Sequence, residues 1–219
     1  LQCSHMDQMI TIFEIIGTIA FAISGAITAL KAGMDIFGVI ILGVFTATAG
    51  GVLRDVVLGH CPPEAFIHPR YVFASAITAC IVFAIIARQS KHPTNEQSEF
   101  RRLSLLFGDS IGLGVFTVLG MNQAIKLYGV DNGFLIVFSG VITGVGGGVL
   151  RDVMIHELPA IFRKHIYALA SIAGALIALP LFRMHETNLA IYMGSFVVLC
   201  IRLMASHYKW SLPRVVKED

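Results

Sequence analysis

Seven stretches of this chain are apolar over about the twenty residues needed to cross roughly 30 Å of hydrocarbon. They run over residues 9–30, 36–58, 71–87, 103–125, 133–155, 166–182 and 189–205. No other feature limits the fold as severely. In lipid, backbone amides and carbonyls must be bonded within the protein, which leaves only helices and closed barrels. These runs are continuous, whereas the strands of a membrane barrel alternate between lipid-facing and lumen-facing residues. The chain therefore reads as an all-α membrane protein with seven transmembrane helices. Composition agrees: 56% of residues are hydrophobic and 14% charged, with mean hydropathy +0.77, against about 25% charged in a soluble domain.

One seven-residue string occurs twice. Gly50 to Val56 and Gly147 to Val153 both read GGVLRDV, 97 residues apart. The match extends to Thr46 with Thr143, Pro62 with Pro159 and His68 with His165. With a small gap it takes in Glu14 with Asp109, Lys31 with Lys126, and Gly33-Met34-Asp35 with Gly129-Val130-Asp131. Each repeat holds three spans. Three is odd, so the second repeat enters the membrane from the opposite side, giving an inverted 3+3 repeat plus one extra helix. Residues 6–102 form the first repeat and a linker, 103–186 the second, and 187–219 the seventh helix and a polar tail. Residues 1–5 read as a processing or cloning remnant. The linker at 88–102, with Pro93 and many charges, reads as solvated.

Arg70, Lys126 and Arg183 fall in connections on one side of the membrane, and the other eleven Lys and Arg, Arg54 and Arg151 aside, on the opposite side. The positive-inside rule then puts the N-terminus outside and the C-terminus in the cytoplasm of a cell (inner) membrane.

The repeated string places costly residues in the spans. Gly50 and Gly51, with Gly144, Gly146, Gly147 and Gly148 in the fifth span, either let helices pack closely or interrupt the second and fifth helices. Interrupted spans at matching positions of two inverted halves point to a permeation or binding site. Arg54, Asp55, Arg151 and Asp152 are expensive in lipid. Residues i and i+1 do not face each other on a helix, so each is expected to find partners on other helices or at broken helix ends, as a structural ion network or as the lining or gate of an ion path together with Thr46 and Thr143. Glu14 and Asp109 either snorkel to the two interfaces or attract cations to the two mouths of a pore. Lys126 reads as an interfacial lysine or a third mouth residue.

Other chemistry is absent from the pattern. His156-Glu157 starts a zincin motif, but Ala160 stands where its second histidine belongs. His60, Cys61, Glu64 and His68 do not have standard metal-ligand spacing. Neither a P-loop nor a TVGYG filter is present. The four cysteines form no paired spacing. No enzyme activity, cofactor, bound metal or nucleic-acid partner is expected.

With seven spans, the inverted repeat and GGVLRD in both halves, the chain resembles the prokaryotic trimeric intracellular cation channels, a family whose members are also labelled putative glycine transporters. The resemblance covers residues 9–205. It implies a homotrimer among membrane lipids in which each subunit has its own pore, lined by the second and fifth helices kinked at Gly50-Gly51 and Gly147-Gly148. It also implies permeation of monovalent cations, chiefly K⁺ and with them Na⁺, with Arg54 and Arg151 near the path. Broken helices in an inverted repeat equally suit a secondary transporter of a small amino acid such as glycine, whose carboxylate a half-helix N-terminus near an arginine would hold.

Overall fold

The computed structural model describes residues 2–89, 95–163 and 166–210. The linker residues Lys91 and Pro93, the repeat partner His165, and Arg214 and Lys217 of the tail lie outside them. The seven long helices are α1 (Gln2–Lys31), α2 (Ile36–Val57), α4 (Arg70–Gln89), α5 (Asn95–Tyr128), α6 (Gly133–Met154), α8 (Ile166–Arg183) and α9 (Thr187–His207). Two single-turn helices, α3 (Glu64–Ile67) and α7 (Ala160–Arg163), lie in the connections that follow α2 and α6. All seven long helices contain a segment apolar and long enough to span a membrane.

The two halves are assembled alike. α1 packs on α2 and α4, and α2 on α4; α5 packs on α6 and α8, and α6 on α8. The halves join through α1 against α5 and α2 against α6, and α9 covers α8 and α5. The protein is thus an inverted three-helix repeat with a seventh helix added to the second half. The bundle has a first end, where α2 finishes and α4 begins, and a second end, where α6 finishes and α8 begins.

Helix starts follow the repeat. Asp35 caps α2 by accepting the Gly38 amide at 2.8 Å, and Asn132 caps α6 by accepting that of Leu135 at 3.0 Å. The caps are 97 residues apart, like the repeated string, so Asp35 pairs with Asn132 and not with Asp131 as the gapped alignment had it. The turns before them reverse through Gly33 and Gly129, at φ +73 and +76. A side-chain cap is worth about 0.5–2 kcal/mol. Asp35→Ala is expected to cost about 1 kcal/mol, read as a lowered melting temperature in detergent, with Asp35→Asn close to the parent.

One boundary differs from the sequence reading. The linker does not continue to Arg102: α5 is already helical from Asn95. Its first turns, Asn95-Glu96-Gln97-Ser98-Glu99, lack the hydropathy of a span but include good helix formers. The helix therefore extends past the apolar segment that marked it.

Candidate functional site: two polar clusters about a glycine crossing

α2 and α6 cross at the repeated glycines. The slot where Gly50 would carry a Cβ is filled by the carbonyl oxygen of Thr143, and the slot at Gly147 by the carbonyl oxygen of Thr46. The contact is reciprocal, as a two-fold relation requires. Gly146 faces the Cα of Gly50, and Gly144 faces Thr117 and the Leu113 carbonyl of α5. Lipid supplies no hydrophobic drive for helix association, so close backbone approach through small residues has to supply it. Neither helix is interrupted: α2 is helical over Ile36–Val57 and α6 over Gly133–Met154. Helical structure runs through the glycines, of which Gly50, Gly144, Gly146 and Gly147 are packed against neighbouring helices. Thr46 and Thr143 are buried, and each hydroxyl donates back to its own helix, to Leu42 O and Ser139 O, both at 2.6 Å.

Each arginine bonds the aspartate beside it, contrary to the expectation drawn from helix geometry. Arg54 Nε donates to Asp55 Oδ1 at 2.8 Å, and Arg151 Nε to Asp152 Oδ1 at 2.9 Å. A long guanidinium stem in the last turn of a helix can fold back where shorter side chains cannot. The second carboxylate oxygen of each aspartate accepts a backbone amide from the following single-turn helix, Glu64 N at 2.9 Å and Ala160 N at 2.8 Å. The repeated Arg-Asp pair is thus a clasp fastening each long helix to the segment after it.

Beyond the clasps the two ends diverge. At the second end, Arg151 Nη1 donates to Asp109 Oδ1 at 2.8 Å and also to Ser24 Oγ of α1. The Tyr167 hydroxyl donates to the same Asp109 oxygen at 3.3 Å. Arg202 of α9 brings Nη2 to 3.5 Å from Asp109 Oδ2 and lies over the Tyr167 ring, 4.7 Å from its centroid. Asp109 is only 3% exposed, so it does not snorkel. Gly148 makes room for the tyrosine, whose hydroxyl would stand 2.7 Å from a Cβ there.

At the first end the same positions leave space. Tyr71 donates to Glu14 and accepts from Arg70 Nη2 at 2.8 Å. No ion pair joins Glu14 to Arg54 among the described residues, and Leu119 stands where the repeat would place a counterpart of Ser24. Two recesses, of about 60 and 260 Å³, share Glu14, Arg54, Glu64 and Tyr71 as lining. Gly51 and Phe116 line the smaller, and Asn122 and exposed Lys126 the larger. Among the described residues, only Arg54 Nη2, at 3.9 Å, comes within reach of a Cβ on Gly51. Between the ends, Phe21 and Phe116, one from each repeat, hold their rings 5.3 Å apart. The result is a polar vestibule at the first end, an aromatic pair beneath it, and a buried charge cluster at the second.

Glu64 lies 3.5 Å from His60 Nε2 and 3.6 Å from His68 Nε2. Among the described residues no group of His, Cys, Asp or Glu is placed to hold a metal ion.

Sequence reasoning missed Tyr71, Tyr167, Ser24 and Arg202. The tyrosines had a signal, since both open the third span of their repeat. Arg202 was counted with the charges of one membrane face, yet it is 4% exposed within α9.

Comparison with known proteins places these features in a family. A profile described as Glycine transporter matches residues 11–87 and 106–183. The UPF0126 inner membrane protein YadS of Escherichia coli K12 is 38% identical over 209 residues, covering 94% of this chain and 96% of that protein. A UPF0126 membrane protein of Vibrio cholerae is 34% identical over 210 residues, covering 94% of this chain and 82% of its own length. Among solved structures, a chain from work on conductance through TRIC cation channels superposes with TM-score 0.80 at 34% identity, covering 95% of this chain and 98% of that one. The TRIC trimeric intracellular cation channel orthologue of Rhodobacter sphaeroides superposes with TM-score 0.81 at 29% identity, covering 92% and 99%.

Proposed function

The chain belongs to the prokaryotic TRIC channel family, whose sequence profile carries the description Glycine transporter, and on that premise we propose that it is a passive channel for monovalent cations. K⁺ is the chief permeant ion and Na⁺ a second. Each subunit of a homotrimer holds its own pathway, bounded by α1, α2, α5 and α6. The N-terminus faces outward and the C-terminus the cytoplasm, by the distribution of Lys and Arg.

The observation that carries this reading is the contrast between the two ends. Glu14, Glu64 and the Tyr71 hydroxyl face the recesses at the first end, which Arg54, Arg70 and Lys126 also line; the carboxylates are the groups there that attract cations. The equivalent space at the second end is filled by Arg151, Asp109 and Tyr167. In this conformation the path is entered from the first end and shut at the second. Conduction then requires Arg151 to release Asp109, and Phe21 and Phe116 to part. Thr46, Thr143 and the glycines position the helices around the path, and Asp55 and Asp152 anchor its two ends.

Planar-bilayer recording in asymmetric KCl, repeated with NaCl and with glycine added, tests the proposal. Discrete current steps with a cation-selective reversal potential are expected, with no dependence on glycine. Glu14→Gln should lower unitary conductance about two-fold at low salt, and the difference should fade near 1 M, where the Debye length is about 3 Å. The alternative is a transporter holding a zwitterion between Arg54 and Glu14, which line the same recess. Saturable, gradient-driven glycine uptake into liposomes from a protein silent in bilayers would establish that alternative.

A further inference from the structure

At the second end, on the far side of the charge cluster from the pathway, lies a recess of about 230 Å³ between α5, α8 and the end of α9. Its lining includes Leu106, Ile166, Arg202, Ser206, Lys209 and Trp210. Arg202 is the informative member. Its guanidinium is held by Asp109 and the Tyr167 ring, yet its buried Nε has no hydrogen-bond partner among the described residues. Leaving a buried donor unmet costs about 1–3 kcal/mol, and more when the group is charged. We propose that the recess binds a phosphate group, with Arg202 Nε as the buried donor and Lys209 as the second cation.

Three further features select this ligand chemistry. The local charges leave room for an anion: the two guanidiniums of Arg151 and Arg202 face the two carboxylates of Asp109 and Asp152, while Lys209 has no carboxylate partner among the described residues. The depth is that of lipid headgroups. The span ends at His207, and Tyr208 and Trp210 stack beyond it with ring centroids 6.1 Å apart, as aromatic side chains do at a membrane interface. The walls are mixed, with Leu106 and Ile166 apolar and Ser206 and Lys209 polar, which suits a phosphodiester attached to a glycerol and acyl chains. A phosphate there would also draw on the arginine that steadies Asp109, which connects the site to the cluster closing the second end. That last connection rests on the channel reading; the binding itself does not.

Trp210 is the sole tryptophan of the chain and a built-in reporter. The purified full chain in neutral detergent would be titrated, at constant ionic strength, with inorganic phosphate, with dihexanoyl phosphatidylglycerol and with dihexanoyl phosphatidylcholine. A saturable change in Trp210 emission is expected with the anionic probes. A response to inorganic phosphate and phosphatidylglycerol alike assigns the site to the phosphate group itself, and a response to phosphatidylglycerol alone assigns it to a lipid headgroup. Lys209→Gln, at an exposed position, should raise the half-saturating concentration about five-fold. Arg202→Lys, which keeps the charge and removes Nε, should raise it about ten-fold. Arg202 also supports Asp109, so Lys209→Gln keeps the test decisive if the arginine variant fails to fold. No saturable response to either anion, an equal response to phosphatidylcholine, or an unchanged half-saturation in Lys209→Gln would overturn the site. None of these readouts depends on ion conduction, so the two proposals can fail separately.

Discussion

Arg151→Ala should lower the melting temperature of the detergent-solubilised protein by about 10 °C, while Arg54→Ala, at the matching repeat position, should lower it by no more than about 3 °C. The two arginines occupy identical heptads, so only their surroundings separate them. Arg151 has a side chain 5% exposed and holds Asp109, Asp152 and Ser24 at once. Removing it leaves two buried carboxylates without their main counter-charge, a loss of about 3–5 kcal/mol when a buried pair is broken. Arg54 has a side chain 11% exposed and, among the described residues, bonds only Asp55, a single buried carboxylate that keeps the Glu64 amide and lines the smaller recess, where water can replace the lost partner. Arg151→Met combined with Asp109→Asn should recover part of the lost stability, because it removes one of the two carboxylates left without the arginine, while Asp152 stays charged and keeps only the Ala160 amide. Equal melting shifts for the two single variants would mean that the asymmetry between the ends carries no energetic weight. In the channel reading, the Arg151→Ala protein that does fold should also stay open for most of a recording.

Gly147→Ala and Gly50→Ala should be the most damaging single-methyl changes at the repeated glycines, and Gly51→Ala should be neutral or slightly stabilising. All three glycines lie within helices, where alanine is intrinsically preferred by about 1 kcal/mol. At Gly51 nothing opposes that gain, since the nearest atom is the movable tip of Arg54. At Gly147 the methyl would coincide with the Thr46 carbonyl oxygen, which belongs to backbone and cannot rotate away. α2 and α6 would have to separate, losing the reciprocal contact at Gly50 as well. Overpacking of side chains costs about 1–3 kcal/mol, and here the obstacle is backbone, so the loss should reach or exceed the top of that range. Gly50→Ala should match Gly147→Ala by symmetry. The readout is the yield of monodisperse protein by size-exclusion chromatography, followed by a melting curve. A Gly147→Ala protein as stable as the parent would show that the glycines serve some purpose other than the crossing. Gly148→Leu belongs with the damaging changes, because its side chain would displace the Tyr167 hydroxyl from Asp109, and it should lower yield and melting temperature in the same assays.

Much of the architecture was legible without coordinates. Hydropathy located all seven spans to within a few residues, because a bilayer leaves a chain little choice once its apolar runs reach spanning length. The doubled heptad exposed the repeat, and the odd number of spans in each copy exposed its inversion. The heptad also named the glycines of the crossing and the two arginine clasps. The heptad left packing and kinking both open at these glycines, since sequence cannot tell a glycine that weakens a helix from one that admits a neighbouring backbone, and the structure adds the close packing at Gly50 and Gly147.

What the sequence determined by itself was therefore whatever depends on periodicity, length and identity along the chain: seven helices, two inverted copies, and the residues too costly to place in lipid without a reason. What only the tertiary structure decided was how those copies differ. Glu14 and Asp109 align in sequence, yet one faces a recess and the other is buried among two arginines and a tyrosine. The difference arises because α9 supplies Arg202 to one end only, and because Ser24 has a leucine, Leu119, as its counterpart. Partner choice across helices depends on distances that no local pattern encodes, and a buried charge takes its character from the partners that surround it.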